Sequence, residues 1–181
     1  MRGSEEAKSI LLHSCCGICS GYPITALREM GYEPVVYFYN PNILPEQEYD
    51  RRLEAQLALC EHFGCKLIEG KYEPEKFKQV IMGLENEPEG GGKCEKCFKL
   101  RLKQTAIVAR ELEINEFTTS LAISPHKNFD KISAIGEQIA QDYGLNYNST
   151  DFKKNDGFLK TNKISKELNL YRQNYCGCKL L

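Results

Sequence analysis

The chain has 181 residues, 41% hydrophobic and 27% charged, which allows one domain with a substantial core and leaves little room for a second. A formal net charge of -1 excludes a globally basic nucleic-acid binder, so any charged surface has to come from local asymmetry. No stretch approaches the ~20 apolar residues of a membrane helix.

Glu5 and Glu6 precede the short apolar run Ile10-Leu11-Leu12, which makes no signal-peptide core. The expected location is therefore cytoplasmic, with no membrane partner. Thiols stay reduced there, and a cysteine-rich chain uses them for metal or redox chemistry more often than for structural disulfides.

In chain order, Ser9 to His13 reads as a buried parallel strand and Cys16 to Met30 as a helix stopped by Gly31. Pro34 to Tyr39 is a second strand, ended by Asn40-Pro41-Asn42. Glu46 to Phe63 reads as a helix with Tyr49, Leu53, Leu57 and Cys60 on one stripe, followed by Gly64. Cys65 to Ile68 is a short strand, Glu75 to Met82 a helix, and the acidic, Gly-rich stretch Glu85 to Gly92 a mobile loop. Lys93 to Leu112 is helical, with Phe98, Leu102, Thr105 and Ala109 in register. Glu116 to Ile123 reads as a strand, Asp130 to Tyr143 as a helix closed by Gly144, and Leu145 to Tyr147 as a last strand. The segment 151–181 holds one expected helix, near Lys163 to Leu168. Strands alternating with helices predict a single α/β domain over 1–181, a three-layer fold around a mostly parallel sheet.

Seven of the nine cysteines fall into three tight groups at element ends: Cys15-Cys16-x-x-Cys19, Cys94-x-x-Cys97 and Cys176-x-Cys178. The first group follows the first strand and opens a helix. Ligands of open α/β sheets bind outside the carboxyl ends of strands, and a helix N-terminus stabilises thiolates. Cys16 and Cys19 are one helical turn apart, so they share a face. Cys94 and Cys97 repeat this pattern after Gly90-Gly91-Gly92. One C-x-x-C is compatible with zinc, iron–sulfur or redox use; two groups from distant segments can supply the four thiolates of a [4Fe–4S] cluster. Cys176-Gly177-Cys178 can form a strained, reducible disulfide or add ligands to a second metal. Cys60 and Cys65 read as small hydrophobic filler. A structural zinc site using four of the seven thiolates is the competing reading.

Longer motifs surround these cysteines: His13-Ser14-Cys15-Cys16-Gly17-Ile18-Cys19-Ser20, Phe38-Tyr39-Asn40-Pro41-Asn42-Ile43, and Cys94-x-x-Cys97-Phe98-x-x-Arg101-Leu102. They continue in Thr118-Thr119-Ser120-Leu121-x-Ile123-Ser124-Pro125-His126-Lys127-Asn128, Asp151-Phe152-Lys153-Lys154, and Tyr171-Arg172-Gln173-x-Tyr175-Cys176-Gly177-Cys178. On these residues the chain resembles the QueH-type epoxyqueuosine reductases over nearly its full length. The resemblance implies a Rossmann-like fold of the adenine-nucleotide α-hydrolase group, related to the PP-loop ATPases. It implies reduction of epoxyqueuosine to queuosine at the wobble position of tRNA, the final step of queuosine biosynthesis. It further implies a [4Fe–4S] cluster with a nearby mononuclear iron, a tRNA substrate and an external electron donor. Carried over residue by residue, Cys15, Cys16, Cys94 and Cys97 become the cluster ligands and Cys176 and Cys178 the redox pair. Cys19 either replaces Cys15 at the cluster or holds the second iron.

No nicotinamide or flavin signature is present, since Gly90-Gly91-Gly92 lacks the G-x-G-x-x-G spacing. A PP-loop-like tRNA thiolase shares the implied fold but needs a Ser-Gly-Gly-x-Asp-Ser loop, where this chain has Ser14-Cys15-Cys16-Gly17-Ile18-Cys19. A zinc-stabilised RNA-binding module is the non-catalytic alternative. Among the other polar residues, His13 reads as structural and His126 as an even choice between structure and function. Asp130 and Asp151 read as exposed caps, and Tyr39 as core or a base-stacking ring. Lys153, Lys154, Lys160, Lys163, Lys166, Arg172 and Lys179 outnumber Asp151, Asp156 and Glu167, and they alternate with Phe152, Phe158, Tyr171 and Tyr175. That basic, aromatic segment suits phosphate contact and base stacking on RNA, and is expected to complete the active site.

Overall fold

The computed structural model of the chain describes residues 7–178; Lys179 of the basic segment lies outside them. Five parallel strands form one sheet in the order β3-β2-β1-β4-β5: β1 (Lys8–Ser14), β2 (Tyr32–Phe38), β3 (Leu67–Glu69), β4 (Glu116–Thr119) and β5 (Asn146–Tyr147). The sheet is covered on both faces. On one side pack α1 (Gly17–Glu29), α2 (Glu46–Phe63) and α6 (Gly157–Glu167). On the other lie α4 (Gly92–Glu111) and α5 (Phe129–Tyr143), with α3 (Pro74–Val80) against α4. The architecture is the predicted Rossmann-like three-layer α/β fold.

Strand alternation assigns each β1 side chain to a layer. Ile10 and Leu12 enter the core with Ile24 and Leu27 of α1 and Leu59 of α2. Leu11 enters the opposite core with Phe98, Leu102 and Ala106 of α4 and Ile132 of α5. A strand buried on both faces reads as a continuous apolar run, which is why 10–12 carries no polar break.

The α2 limits match the sequence reading, and Gly64 ends the helix in the left-handed region at φ 61°. The stripe of α2 is turned from the expected one: Leu57 is 51% exposed, and Arg52 and Gln56 are buried in its place. The expected 116–123 strand stops at Thr119 and tightens into a 3-10 turn over Ser120–Ile123. The Thr119 hydroxyl takes the Leu121 N–H and turns the chain away from the sheet. The last helix begins at Gly157, well before the expected Lys163. Thr161 of that helix bonds Ile18 O and Tyr22 N of α1, which fastens its polar first turns to the domain. The 85–92 stretch is a series of turns in which the Glu87 carboxylate accepts from Gly92 N–H at the start of α4.

Gly17 has a packing role that its place in the cysteine motif conceals. A Cβ at this position would stand 2.8 Å from the carbonyl carbon and oxygen of Ala55, so α1 begins against the α2 backbone. Gly17→Ala is expected to destabilise the protein by about 1–3 kcal/mol, measured as a lower denaturant midpoint with unchanged m value.

Candidate metal centre and active site

The strand order reverses between β1 and β4, the crevice where ligands of open α/β sheets bind. The Cys15 turn crosses that crevice. Its N–H donates to Ser120 Oγ at 3.1 Å, beyond the end of β4, and Ser120 Oγ in turn lies 3.4 Å from Cys15 Sγ. Ser14 anchors the turn from below, bonding Ser20 Oγ at 2.5 Å and the amide oxygen of Gln56. Asn40, just past β2, donates to Ser14 O at 2.9 Å. Three elements therefore fix the turn before any ligand is considered.

The sulfurs of Cys15, Cys16 and Cys19 all lie within 4.8 Å of one another. Cys19 thus joins Cys15 and Cys16 in one three-sulfur set, and Cys94 and Cys97 stand outside it. Thiol hydrogen bonds from Cys16 and Cys19, with help from Arg101 and Ser120, hold Cys15 well below the usual thiol range. Burial pushes Cys16 up to about 12, and the bonds to Cys15 and Cys16 raise Cys19.

The second set is assembled by α4 and the C-terminal segment. Cys94 Sγ accepts from Gly90 N–H at 3.2 Å, and buried Cys97 packs with Phe77, Ile81 and Cys178. Cys176 and Cys178 are both free thiols, so the disulfide expected of them is not formed. The neighbouring Cys178 thiol, with Lys127 and Arg101, lowers Cys176 to about 5 against the effect of burial, while Cys178 is raised. Lys127 Nζ lies 3.5 Å from Cys176 Sγ. Burial opposes the charge on Lys127, but the thiolates of Cys176 and Cys15 outweigh it and raise its pKa.

A cleft of about 300 Å³ opens over the centre. Cys15, Cys16, Cys19, Arg101 and Cys176 line its floor, and His126, Lys127, Phe158, Asn162 and Arg172 through Tyr175 its walls. The donor set suits soft, thiophilic iron or zinc rather than hard cations, and the converging sulfurs fit a metal–thiolate group. Cys60 and Cys65 are not in this centre: Cys60 is in the core and Cys65 accepts from Arg28, as filler residues should.

Arg52, which the stripe reading leaves out, lines the cleft. It is 2% exposed, paired with Glu48 at 2.8 Å, and its two terminal nitrogens donate to Cys176 O and Tyr175 O at 3.0 Å each. The Arg52 guanidinium also lies 5.0 Å from the Tyr175 ring centroid. For Arg101 the sequence carries a signal, a charge on the same face of α4 as Phe98, Leu102 and Thr105; Arg52 shares its buried face with the polar Glu48 and Gln56 and has no such signal.

The remaining candidates sort by geometry. His13 is fully buried between Thr119 Oγ1 at 2.9 Å and Tyr39 O at 3.0 Å, and burial drives it down to about 3. Its Nε2 must donate to the carbonyl, so Nδ1 accepts from Thr119, and the ring is a neutral brace. His126 is exposed on the cleft wall. Asp130 is exposed in the first turn of α5, which Asn128 caps, and Asp151 accepts from Lys153 N–H in a local turn. Tyr39 is buried, stacked on Tyr37 and donating to Glu73, so it is core rather than a stacking platform.

Residues 10–180 match the model of the family described as epoxyqueuosine reductase QueH. The chain belongs to that family. It is 40% identical over 176 residues to epoxyqueuosine reductase QueH of Streptococcus pyogenes, covering 94% of this chain and 69% of the relative. To the protein of that name from Thermotoga maritima it is 35% identical over 173 residues, covering 94% and 88%. Among solved structures it is similar to a predicted subunit of tRNA methyltransferase from Methanocaldococcus jannaschii, with TM-score 0.59 and 13% identity over 86% of this chain and 74% of that one. It is also similar to the U34-tRNA thiolase NcsA from Methanococcus maripaludis with its [4Fe–4S] cluster, with TM-score 0.54 and 14% identity over 95% and 61%. At these identities the solved structures bear on the fold alone. No described helix is long and apolar enough to cross a membrane.

Thr119→Val removes the hydroxyl that serves both His13 Nδ1 and Leu121 N–H. It is expected to cost about 1–3 kcal/mol, because both buried partners lose a bond. Denaturant unfolding of the apo-protein measures it.

Proposed function

We propose that the protein is an oxidoreductase that reduces epoxyqueuosine to queuosine in tRNA, working through an iron–sulfur centre. The observation that carries this reading is the convergence of Cys15, Cys16 and Cys19 at the sheet's switch point, in a chain of the epoxyqueuosine reductase family. The reaction takes two electrons and two protons: the epoxide becomes an alkene and its oxygen leaves as water. An external reductant supplies the electrons, and a cytoplasmic setting keeps the thiols reduced.

Cys15, Cys16, Cys94 and Cys97 are the proposed [4Fe–4S] ligands. The proximity of Cys19 to Cys15 and Cys16 favours its use either at the cluster or at a further iron. When bound, iron supplies single-electron reduction and Lewis acidity. The chain's own groups do the rest. Cys176 and Cys178, as a thiolate–thiol pair beside the cleft, can deliver two electrons and one proton on closing to a disulfide, with the second proton supplied by Lys127. Lys127, at Cys176, keeps that sulfur ionised and is placed to donate a proton. Arg52 holds the segment 171–178 over the floor, so this segment completes the active site. Phe158 and Tyr175 on the walls offer rings to a base, and Lys163 and Lys166, beside Arg172 on the adjoining surface of α6, are the proposed phosphate contacts.

The test is anaerobic purification with iron and sulfide analysis, followed by a reductive assay on tRNA bearing epoxyqueuosine. Iron-replete protein that forms no queuosine under a strong reductant overturns the reading; one equivalent of zinc without iron favours a structural metal site. Cys94→Ala is expected to abolish the brown visible absorption of anaerobic protein, and full retention of cluster iron removes Cys94 from the ligand set. Affinity for tRNA is expected to fall steeply with salt, and replacing both Lys163 and Lys166 by Ala to lower the log–log slope by about 1.5. A slope unchanged by that pair places the phosphates elsewhere.

A further inference from the structure

Arg101 is a buried cation without a carboxylate to match it among the described residues. It lies on α4 one turn beyond Cys97 and is 2% exposed. Its Nη2 donates to Asn40 Oδ1 at 2.7 Å, its Nη1 lies 3.7 Å from Cys97 Sγ, and its Nε has no hydrogen-bond partner among the described residues. No carboxylate pairs with it among the described residues. The contrast with Arg52 is direct: that arginine is equally buried, but Glu48 lies beside it at 2.8 Å. Lys127, the next cation along the cleft, meets only Glu89 at 3.9 Å, and that carboxylate is 60% exposed.

Burying a charge without a partner is strongly unfavourable, so such groups are paired or stand at a function. Asn40 holds the guanidinium in place while also gripping Ser14 O, so Arg101 is coupled mechanically to the Cys15 turn. The sulfurs whose charge it feels are those of Cys97, Cys15 and Cys176, one from each cysteine group. The first turns of α1 and α4 and the C-terminal segment therefore meet around this guanidinium. A phosphate of the RNA backbone is a poor match for a side chain so deeply covered, whereas a metal–thiolate group on the cleft floor is not.

We propose that Arg101 is the built-in counter-cation of the thiolate centre, a positioning residue whose buried charge is fully balanced when an anionic iron–thiolate group is in place. The proposal rests on the iron–sulfur reading above. It makes the empty fold electrostatically incomplete and gives cluster uptake part of its driving force. It also predicts that the charge, rather than the volume, of this side chain is what the centre uses.

Arg101→Met keeps the length and apolar stem and removes the charge; Arg101→Lys keeps a charge and loses the fork. With metal stripped by chelator under thiol reductant, apo R101M is expected to unfold at a denaturant concentration equal to or above that of the apo wild type. After anaerobic loading with ferrous iron and sulfide, R101M is expected to lose about 10- to 100-fold in iron affinity, read by chelator competition, with R101K recovering much of the loss. Residual cluster in R101M should show a lower midpoint potential, because an electron enters less readily once a nearby positive charge is gone. Apo R101M that is less stable than the wild type or fails to fold overturns the proposal, as does iron affinity matching the wild type. If the wild type itself takes up no iron, the iron–sulfur reading fails and takes this proposal with it; normal wild-type loading with an indifferent R101M defeats this proposal alone.

Discussion

The turn that follows β1 is the constraint on which the rest of the molecule depends. Its backbone leaves the sheet at Ser14 and must place two adjacent cysteines before α1 begins. The first turn of α1 takes hold of Cys16 O through Cys19 N–H and Ser20 Oγ, and the rest of the grip comes from distant elements. The turn is held by Asn40 from the end of β2, Gln56 from α2 and Ser120 from beyond β4. Each of these is a buried polar group that would be costly if left unpaired. Satisfying them all at once requires the parallel order of the sheet and the close seat of α2 on Gly17.

Much of the architecture was legible in the residues because parallel strands and their covering helices leave strong periodic traces. The apolar run 10–12, the Phe98-Leu102-Thr105-Ala109 stripe and the glycine after α2 carry their meaning locally. What could not be read depended on long-range bonds. The end of β4 is set by one threonine hydroxyl turning the chain, in residues that otherwise look like strand. The early start of α6 depends on Thr161 reaching α1, a contact across more than a hundred residues of sequence. Propensity alone favours neither outcome.

The site divides in the same way. Cysteine spacing marks the seven clustered thiols, and the short separations within each group make their grouping plain. The partition between groups was not legible, because it depends on where α4 and the C-terminal segment fall relative to the switch point. Cys19 was the residue left between roles, and its sulfur lies with Cys15 and Cys16. The arginines were harder still. Arg101 sits on a stripe that the pattern assigns to apolar side chains, and Arg52 lies beside the expected α2 stripe, on a face that is buried only because the helix is turned.

The C-terminal segment shows what that arrangement allows. Arg52 grips two main-chain carbonyls, at Tyr175 and Cys176, and Gly177 O is taken by the Leu44 N–H. These bonds read only backbone, so they are indifferent to which side chains the segment carries. Shape and reactivity are thereby uncoupled along this stretch. A serine in place of either terminal sulfur leaves the path of the chain intact, and the contribution of each sulfur can be separated from the scaffold that presents it.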